Sequence, residues 1–208
     1  LGWPARLHAR IGHPGTWIGA MISALEGRWN RGGARRRRAF GAACVLVAVA
    51  AAAGVGAALQ GALPEGLAGL VIGAVLALPL LAARSLQDHV AAVAAPLAAG
   101  DLASARAAVA MIVGRDPARL DAEGVARAAL ETLAENASDG VVAPLFWGAL
   151  LGLPGLAGYK AINTLDSMIG HRDSRFEAFG KAAARLDDLV NLPPARLTGI
   201  LLAMVAGR

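Results

Sequence analysis

The sequence predicts an all-α integral membrane protein: a helical hairpin, amphipathic helices and one broken or re-entrant hydrophobic segment. Three observations carry this. Of 208 residues, 56% are hydrophobic and only 17% charged, whereas a soluble domain carries about 25% charge. The apolar content comes mainly from Ala, Leu, Val and Gly, small side chains that let helix backbones approach closely. Uncharged runs of membrane length, 39–64, 66–83 and 140–159, alternate with polar segments. The alternative, a soluble all-helical protein with an Ala-rich core, does not need such runs.

The elements follow in order. In residues 1–38, a basic amphipathic segment, eight arginines face one acid, Glu26. Trp17, Ile18, Met21, Ile22 and Leu25 recur at helical spacing, so a short helix over 14–30 is expected, lying on the membrane surface with Trp17 and Trp29 at headgroup level. The net charge of +5 does not indicate nucleic acid, which needs a fold that presents a basic face. The run Arg35–Arg38 instead abuts a hydrophobic segment, as on the cytoplasmic flank of a membrane helix. Residues 39–83 read as a transmembrane hairpin turning at Pro64–Gly66, with Arg84 returning the chain to the cytoplasm. Its single cysteine, Cys44, has no disulfide partner and reads as buried packing.

Residues 84–139 hold five arginines against eight acids and read as a cytoplasmic helical region with an acidic motif. One helix stops at Pro96–Gly100, a second is capped by Asp101, and a third, from Asp121, closes at Asp139–Gly140. Residues 140–159 are uncharged but interrupted by Pro144, Pro154 and Gly140, Gly148, Gly152 and Gly155. They form either a crossing or a re-entrant segment, tolerated where protein or a cavity shields the irregular backbone. The 160–196 region is polar, its helix carrying a stripe of Phe176, Phe179, Ala183 and Leu186 and stopping at Pro193–Pro194. Residues 197–208 start a further transmembrane segment too short to span. With Leu1 in place of Met, truncation at both ends is expected.

Several polar groups have the chemistry for catalysis. Glu131, Glu135 and Asp139 are four residues apart and share a helix face. Such like charges are either a solvated face or are compensated, for example by Mg²⁺, which prefers carboxylate oxygens and keeps waters and phosphate oxygens in its shell. Asn136 projects beside them. Arg84 and Asp88 are an i,i+4 pair that bridges or acts on substrate, and His89 is a lone candidate base. The string YKAINTLDSMIGHRD places Lys160, Asn163 and Asp166 at helical spacing, followed by Ser167, His171 and Arg172. Asp187 and Asn191 form a further i,i+4 pair beside Asp188. The candidate catalytic set is therefore Arg84, Asp88, His89, Glu131, Glu135, Asn136, Asp139, Lys160, Asn163 and Asp166. Candidate metal ligands are Glu131, Glu135, Asp139, Asp166, Asp187 and Asp188. Arg115, Lys160, Arg172 and Arg196 are candidates for holding phosphate. No GxxxxGK[ST] occurs, so an ordinary P-loop is excluded.

These motifs resemble those of a known family, the cobalamin-biosynthesis membrane proteins that make adenosylcobinamide (phosphate) from adenosylcobyric acid. The carrying strings are HPGTWIGAMISALEGRWNRG at 13–32, ARSLQDHVAAVAAPLAAGDLASARAAVAMIVGRD at 83–116, ARAALETLAENASDGVVAPLFWGALLGLPGLAGYKAINTLDSMIGHRD at 126–173 and FEAFGKAAARLDDLVNLPPARLTG at 176–199. The chain departs from the family pattern at Ala137, where Thr is usual, at His171, often Tyr, and at Gly15, commonly Val. The family also runs on beyond Arg208. The resemblance implies ATP- and Mg²⁺-dependent amide ligation of (R)-1-aminopropan-2-ol, or its O-phosphate, to the ring D propionate (f) carboxylate of the corrin, through an acyl phosphate. It also implies a multi-pass protein of the cell membrane with a cytoplasmic site, alongside other late corrinoid-pathway membrane enzymes. The rival classes are a non-catalytic membrane sensor or regulator of the same superfamily, which should lack the ENxSDG and NTLDSMIG strings, and a transporter, which should carry its charges inside the hydrophobic segments.

Overall fold

A computed structural model describes residues 14–113 and 116–207, and every regular element among them is helical. The helices are α1 (Pro14–Trp29), α2 (Ala34–Gly61), α3 (Leu67–Ala77), α4 (Ala83–Ala98), α5 (Leu102–Ala110), α6 (Ala122–Ala137), α7 (Ala143–Ile169) and α8 (Lys181–Ala206). A 3₁₀ turn, Leu78–Leu80, follows α3, and a π turn, Ser138–Val142, joins α6 to α7. The runs Ala34–Gly61 and Lys181–Ala206 are long and apolar enough to cross a membrane, and Ala122–Ile169 meets the same measure by length and composition although it is broken at Gly152. Leu67–Leu80 and Ala83–Ala98 make a further pair bent by 41°. This is an all-α membrane protein.

Two cores organise it. Ile22, Cys44, Val45, Ala48, Leu165, Ile169, Phe179 and Ala183 lock α1, α2, α7 and α8 together. Helix α1 therefore turns its apolar stripe into protein, and Trp29 packs on Phe40 with ring centroids 5.7 Å apart. Val93, Ala105, Val109, Val125, Ala128 and Ala129 hold α4, α5 and α6 in a separate cluster. The caps expected from sequence are present there: Asp101 Oδ1 accepts from the Ser104 amide at 3.0 Å, and Asp121 Oδ1 from the Gly124 amide at 2.8 Å. Leu46, Leu70, Ile200 and Met204 stay exposed, apolar surface of the kind a bilayer covers.

Helix α7 is not straight. At Gly152 the backbone takes φ 69° and ψ −155°, outside the helical region. A side chain at Gly155 would collide with the Trp147 carbonyl, and one at Gly148 would meet the Leu156 Cβ at 3.4 Å. Residues eight apart in a continuous helix are separated by about 12 Å along the axis. The chain therefore doubles back at Gly152, and the limb 143–151 lies against the limb from 153. The 140–159 run is thus a helical hairpin whose ends return to one level. Glycine is required at its tip because φ is positive and a side chain would strike Gln60. The Gln60 Oε1 then accepts from the Leu153 amide at 2.8 Å, supplying the partner that the break removes. Close packing on α2 completes the support: a Cβ at Gly56 would press into the Leu153 carbonyl at 2.7 Å.

Two expected helix ends are not ends. Asp139–Gly140 does not close α6; the chain widens into the π turn and continues. Gly140 serves close approach instead, its carbonyl accepting from the Ala82 amide at 2.9 Å. Pro193 and Pro194 do not stop α8, which runs through both to Ala206. A proline removes the hydrogen bond to the carbonyl four residues back. For Pro194 that is Val190, whose carbonyl accepts from Trp147 Nε1 at 3.2 Å. The hairpin thus supplies a donor that the helix lost. The stripe expected on one helix is split: Phe176 and Phe179 lie in the turn before α8, while Ala183 and Leu186 are helical, and all four pack into the same core.

Candidate functional site

The site is built where the π turn, the second limb of α7 and the middle of α8 meet. A π turn inserts an extra residue into a helix and recurs at functional sites; here it carries Asp139. The doubling back of α7 brings Tyr159 to the same level, its hydroxyl 3.4 Å from the Asp139 carbonyl oxygen. In a straight helix those residues would be about 30 Å apart. Helix α8 runs alongside, and the Tyr159 hydroxyl donates to Asn191 Oδ1 at 2.8 Å. The Asn191 amide in turn donates to Asp187 Oδ2 at 2.9 Å. Asp139, Asp166, Asp187 and Asp188 lie close enough for their charges to act on one another, and Lys160 acts on Asp139. Asp187 is 9% exposed, and its Oδ1 is buried without a hydrogen-bond partner. A buried polar atom without a partner calls for an explanation.

The sequence-derived candidates divide accordingly. Asp139, Lys160, Asp166 and Asp187 lie within reach of a neighbour's charge, and Asp188 borders them from the exposed side of α8. Glu135 borders them, its charge reaching Asp139, but its side chain is exposed. Glu131 stays on the exposed face of α6 two turns away. Among the described residues no three His, Cys, Asp or Glu side chains converge closely enough to hold a metal ion on their own. The row Glu131, Glu135, Asp139 is therefore not a ready-made metal triad, because the π turn delivers Asp139 to α7 and α8 and leaves the glutamates behind. The same holds for Asp166, Asp187 and Asp188 as an unaided set. Asn163 is half-buried one turn after Lys160, and its carbonyl accepts from Ser167 Oγ at 2.9 Å.

His89 and Asn136 belong to a neighbouring cleft. A cavity of about 250 Å³ between α4, the end of α5 and α6 is lined by Ser85, His89, Met111, Thr132 and Asn136. The His89 Nδ1 is 3.3 Å from Ser85 Oγ, and the Asn136 amide donates to the Thr132 carbonyl at 3.0 Å. Arg84 and Asp88 pair with each other at 3.8 Å on the exposed side of α4. Arg172 is exposed in the turn before α8. Arg196 donates to the Leu192 carbonyl of its own helix at 2.9 Å. Arg115 lies outside the described residues.

Sequence reasoning passed over Tyr159, Trp147 and Gln60, and gave Asn191 no role. Tyr159 is the only tyrosine in the chain, which is the one signal that could have found it. It also missed a second polar network at the other end of α7. Glu26, 7% exposed, accepts from Arg175 through both oxygens, Nε at 3.1 Å and an Nη at 2.8 Å. Asn30 donates to Glu26 at 2.8 Å and accepts from Arg37 Nε at 2.7 Å. Arg37 also donates to the Ser174 and Arg175 carbonyls. The Arg175 hydrogen bonds hold the Glu26 carboxyl below the usual carboxylate range, and Asn30 adds to this. This network staples α1 and the start of α2 to the turn before α8.

Comparison with known proteins bears on the whole chain. No solved structure matches. A protein called cobalamin biosynthesis protein CobD from Rhodobacter capsulatus is 62% identical over 99% of this chain. Proteins of the same name from Brucella suis and Rhizobium meliloti are 48% and 47% identical over 98% of it. The chain spans 65% of the length of the first of these and 63% of the other two, just under two thirds. The family model described as CobD/CbiB protein matches residues 1–208, and the chain belongs to that family.

Proposed function

We propose that this chain carries the reaction site of a cobalamin-biosynthetic amide ligase. The relatives' shared name speaks for the pathway. For the chemistry, the supporting observation is the gathering of Asp139, Lys160, Asp166, Asp187 and Asp188 beside the doubled-back limb of α7. The reaction joins adenosylcobyric acid to (R)-1-aminopropan-2-ol or its O-phosphate. The ring D propionate carboxylate and the amine form an amide, and ATP is split to ADP and phosphate. ATP converts a carboxylate oxygen, otherwise a poor leaving group, into one that departs as phosphate.

The residues suit this division of labour. Mg²⁺ binds through one or two carboxylates and completes its shell with water and phosphate oxygens. Asp166 and Asp188, neighbours in charge across α7 and α8, would hold it. Lys160 would neutralise phosphate charge as it develops. The apolar face of the hairpin would keep water, a competitor of the amine, from the reacting carboxyl. The test uses the full-length protein in detergent, supplied with adenosylcobyric acid, the amine, ATP and Mg²⁺, with the amide product detected by mass. Product is expected only when all four are present. Its absence, or product formation that Asp166→Asn leaves untouched, would overturn the reading.

A further inference from the structure

We infer that Asp187 Oδ1 is the anchor for a primary alkylammonium group, and that Tyr159 and Asn191 are positioning residues that aim it; this rests on the amine-ligating reading above. The geometry is specific. Tyr159 donates to Asn191 and Asn191 donates to Asp187 Oδ2, at 2.8 and 2.9 Å, so the carboxylate is held by one oxygen through a chain of two hydrogen bonds. The other oxygen is buried and unpartnered. A buried acceptor left unpaired is costly, and such atoms in native proteins call for an explanation, of which a missing ligand is one.

The surroundings select the ligand. Asp139, Asp166 and Asp188 all add negative charge around Asp187, so the ligand is a cation. The Mg²⁺ of the amine-ligating reading is placed on Asp166 and Asp188, which leaves the free Asp187 oxygen for another cation. A single free oxygen at a fixed angle instead suits a cation that donates hydrogen bonds. An ammonium group does so. The Tyr159 end of the relay lines a cavity of about 410 Å³, walled also by Trp147, Gly155, Gly158, Ile162 and Val190; Asp187 and Asn191 do not line it.

The experiment is calorimetric titration of (R)-1-aminopropan-2-ol into the full-length protein in detergent, without ATP, beside the ligation kinetics. Tyr159→Phe keeps the ring and removes one link; the Kd for the amine and its KM should rise about fivefold, the size of one neutral hydrogen bond. The Mg²⁺ concentration giving half-maximal rate should not move. Asp187→Asn should abolish measurable amine binding, and thermal unfolding of both variants checks that they fold. If Asp187→Asn fails to fold, Tyr159→Phe alone still decides. Unchanged amine binding in Tyr159→Phe, or a raised Mg²⁺ requirement with amine binding intact, overturns the inference; the second result would make Asp187 Oδ1 a metal ligand. Wild-type protein that does not bind the amine overturns it as well. Protein that binds the amine through these residues but forms no amide would sink the ligase reading and leave this site standing.

Discussion

Glu26 and Asp187 are both buried acids on helices packed against α7, and their surroundings differ completely. Both Glu26 oxygens are engaged, by a bidentate arginine and an asparagine, and the nearby charges are positive. Asp187 is bonded through one oxygen only, and the charges around it are negative. The first arrangement is closed: both carboxylate oxygens have partners within the chain. The second is open, with an acceptor and a surplus of charge that the chain itself does not satisfy. Partner accounting of this kind separates a structural network from a site where identity of residue type cannot.

The largest effect should come from the open cluster. Asp166→Asn is expected to reduce ligation on the order of 10²–10³-fold, as removal of one preorganised charge-stabilising group does. Thermal unfolding in detergent should be unchanged or slightly raised, because the substitution relieves repulsion from Asp187 and Asp188. Simultaneous loss of stability and activity would mean that Asp166 is structural and the contrast false.

Next in size, Glu26→Ala should behave in the opposite way. Removing the acceptor of the α1 staple should lower stability by about 1–3 kcal/mol, while the rate per folded molecule changes less than about twofold. Denaturation followed with the ligation assay separates the two quantities. The pH dependence sharpens this. The folded carboxyl titrates below its ordinary value of 4.5, so its stabilisation is fully present above that value and is lost as pH falls through the lower folded pKa. The stability gap between wild type and Glu26→Ala should be constant near neutrality and close progressively in acid. A gap that widens in acid would assign the staple the wrong sign.

A smaller effect probes the hairpin's debt to α8. Trp147→Phe removes the donor to the Val190 carbonyl and should cost about 1 kcal/mol. Pro194→Ala restores a backbone N–H able to reach that carbonyl, so the Trp147→Phe cost should shrink in the Pro194→Ala background. Strictly additive effects in the double variant would show that the Trp147 contact does not repair the proline break.

Much of this was legible in the residues. Hydrophobic runs and caps depend on neighbours in sequence, so Asp101, Asp121 and the uncharged 39–61 segment declared their helices. The stops at Asp139–Gly140 and Pro193–Pro194 were misread because tertiary contacts overrule local preference: Ala82 packs on Gly140, and Trp147 serves the carbonyl that Pro194 orphans. The acidic face of α6 was visible as a four-residue spacing. Asp139 alone leaves that row, and its partners, Asp166 and Asp187, lie about thirty and fifty residues on, with no periodicity to connect them. They meet only because α7 reverses at Gly152, a glycine indistinguishable by sequence from Gly148 or Gly155 in the same run. The Glu26 staple was invisible for a similar reason, since Arg175 is one arginine among many until the fold places it.

That reversal is the claim on which the site depends, and one cross-link tests it directly. In a background with Cys44 replaced by alanine, cysteines are introduced at Gly148 and Leu156. The fold puts a Cβ at 148 within 3.4 Å of the Leu156 Cβ, close to the roughly 3.5–4.5 Å that a disulfide spans. Mild oxidation of the full-length protein in membranes should therefore give an intramolecular disulfide in high yield, detected as a linked peptide after proteolysis. A continuous helix would hold the two thiols about 12 Å apart, and failure to cross-link in folded, inserted protein would contradict the doubled-back α7 and the meeting of Asp139 with Asp166 and Asp187 that it creates.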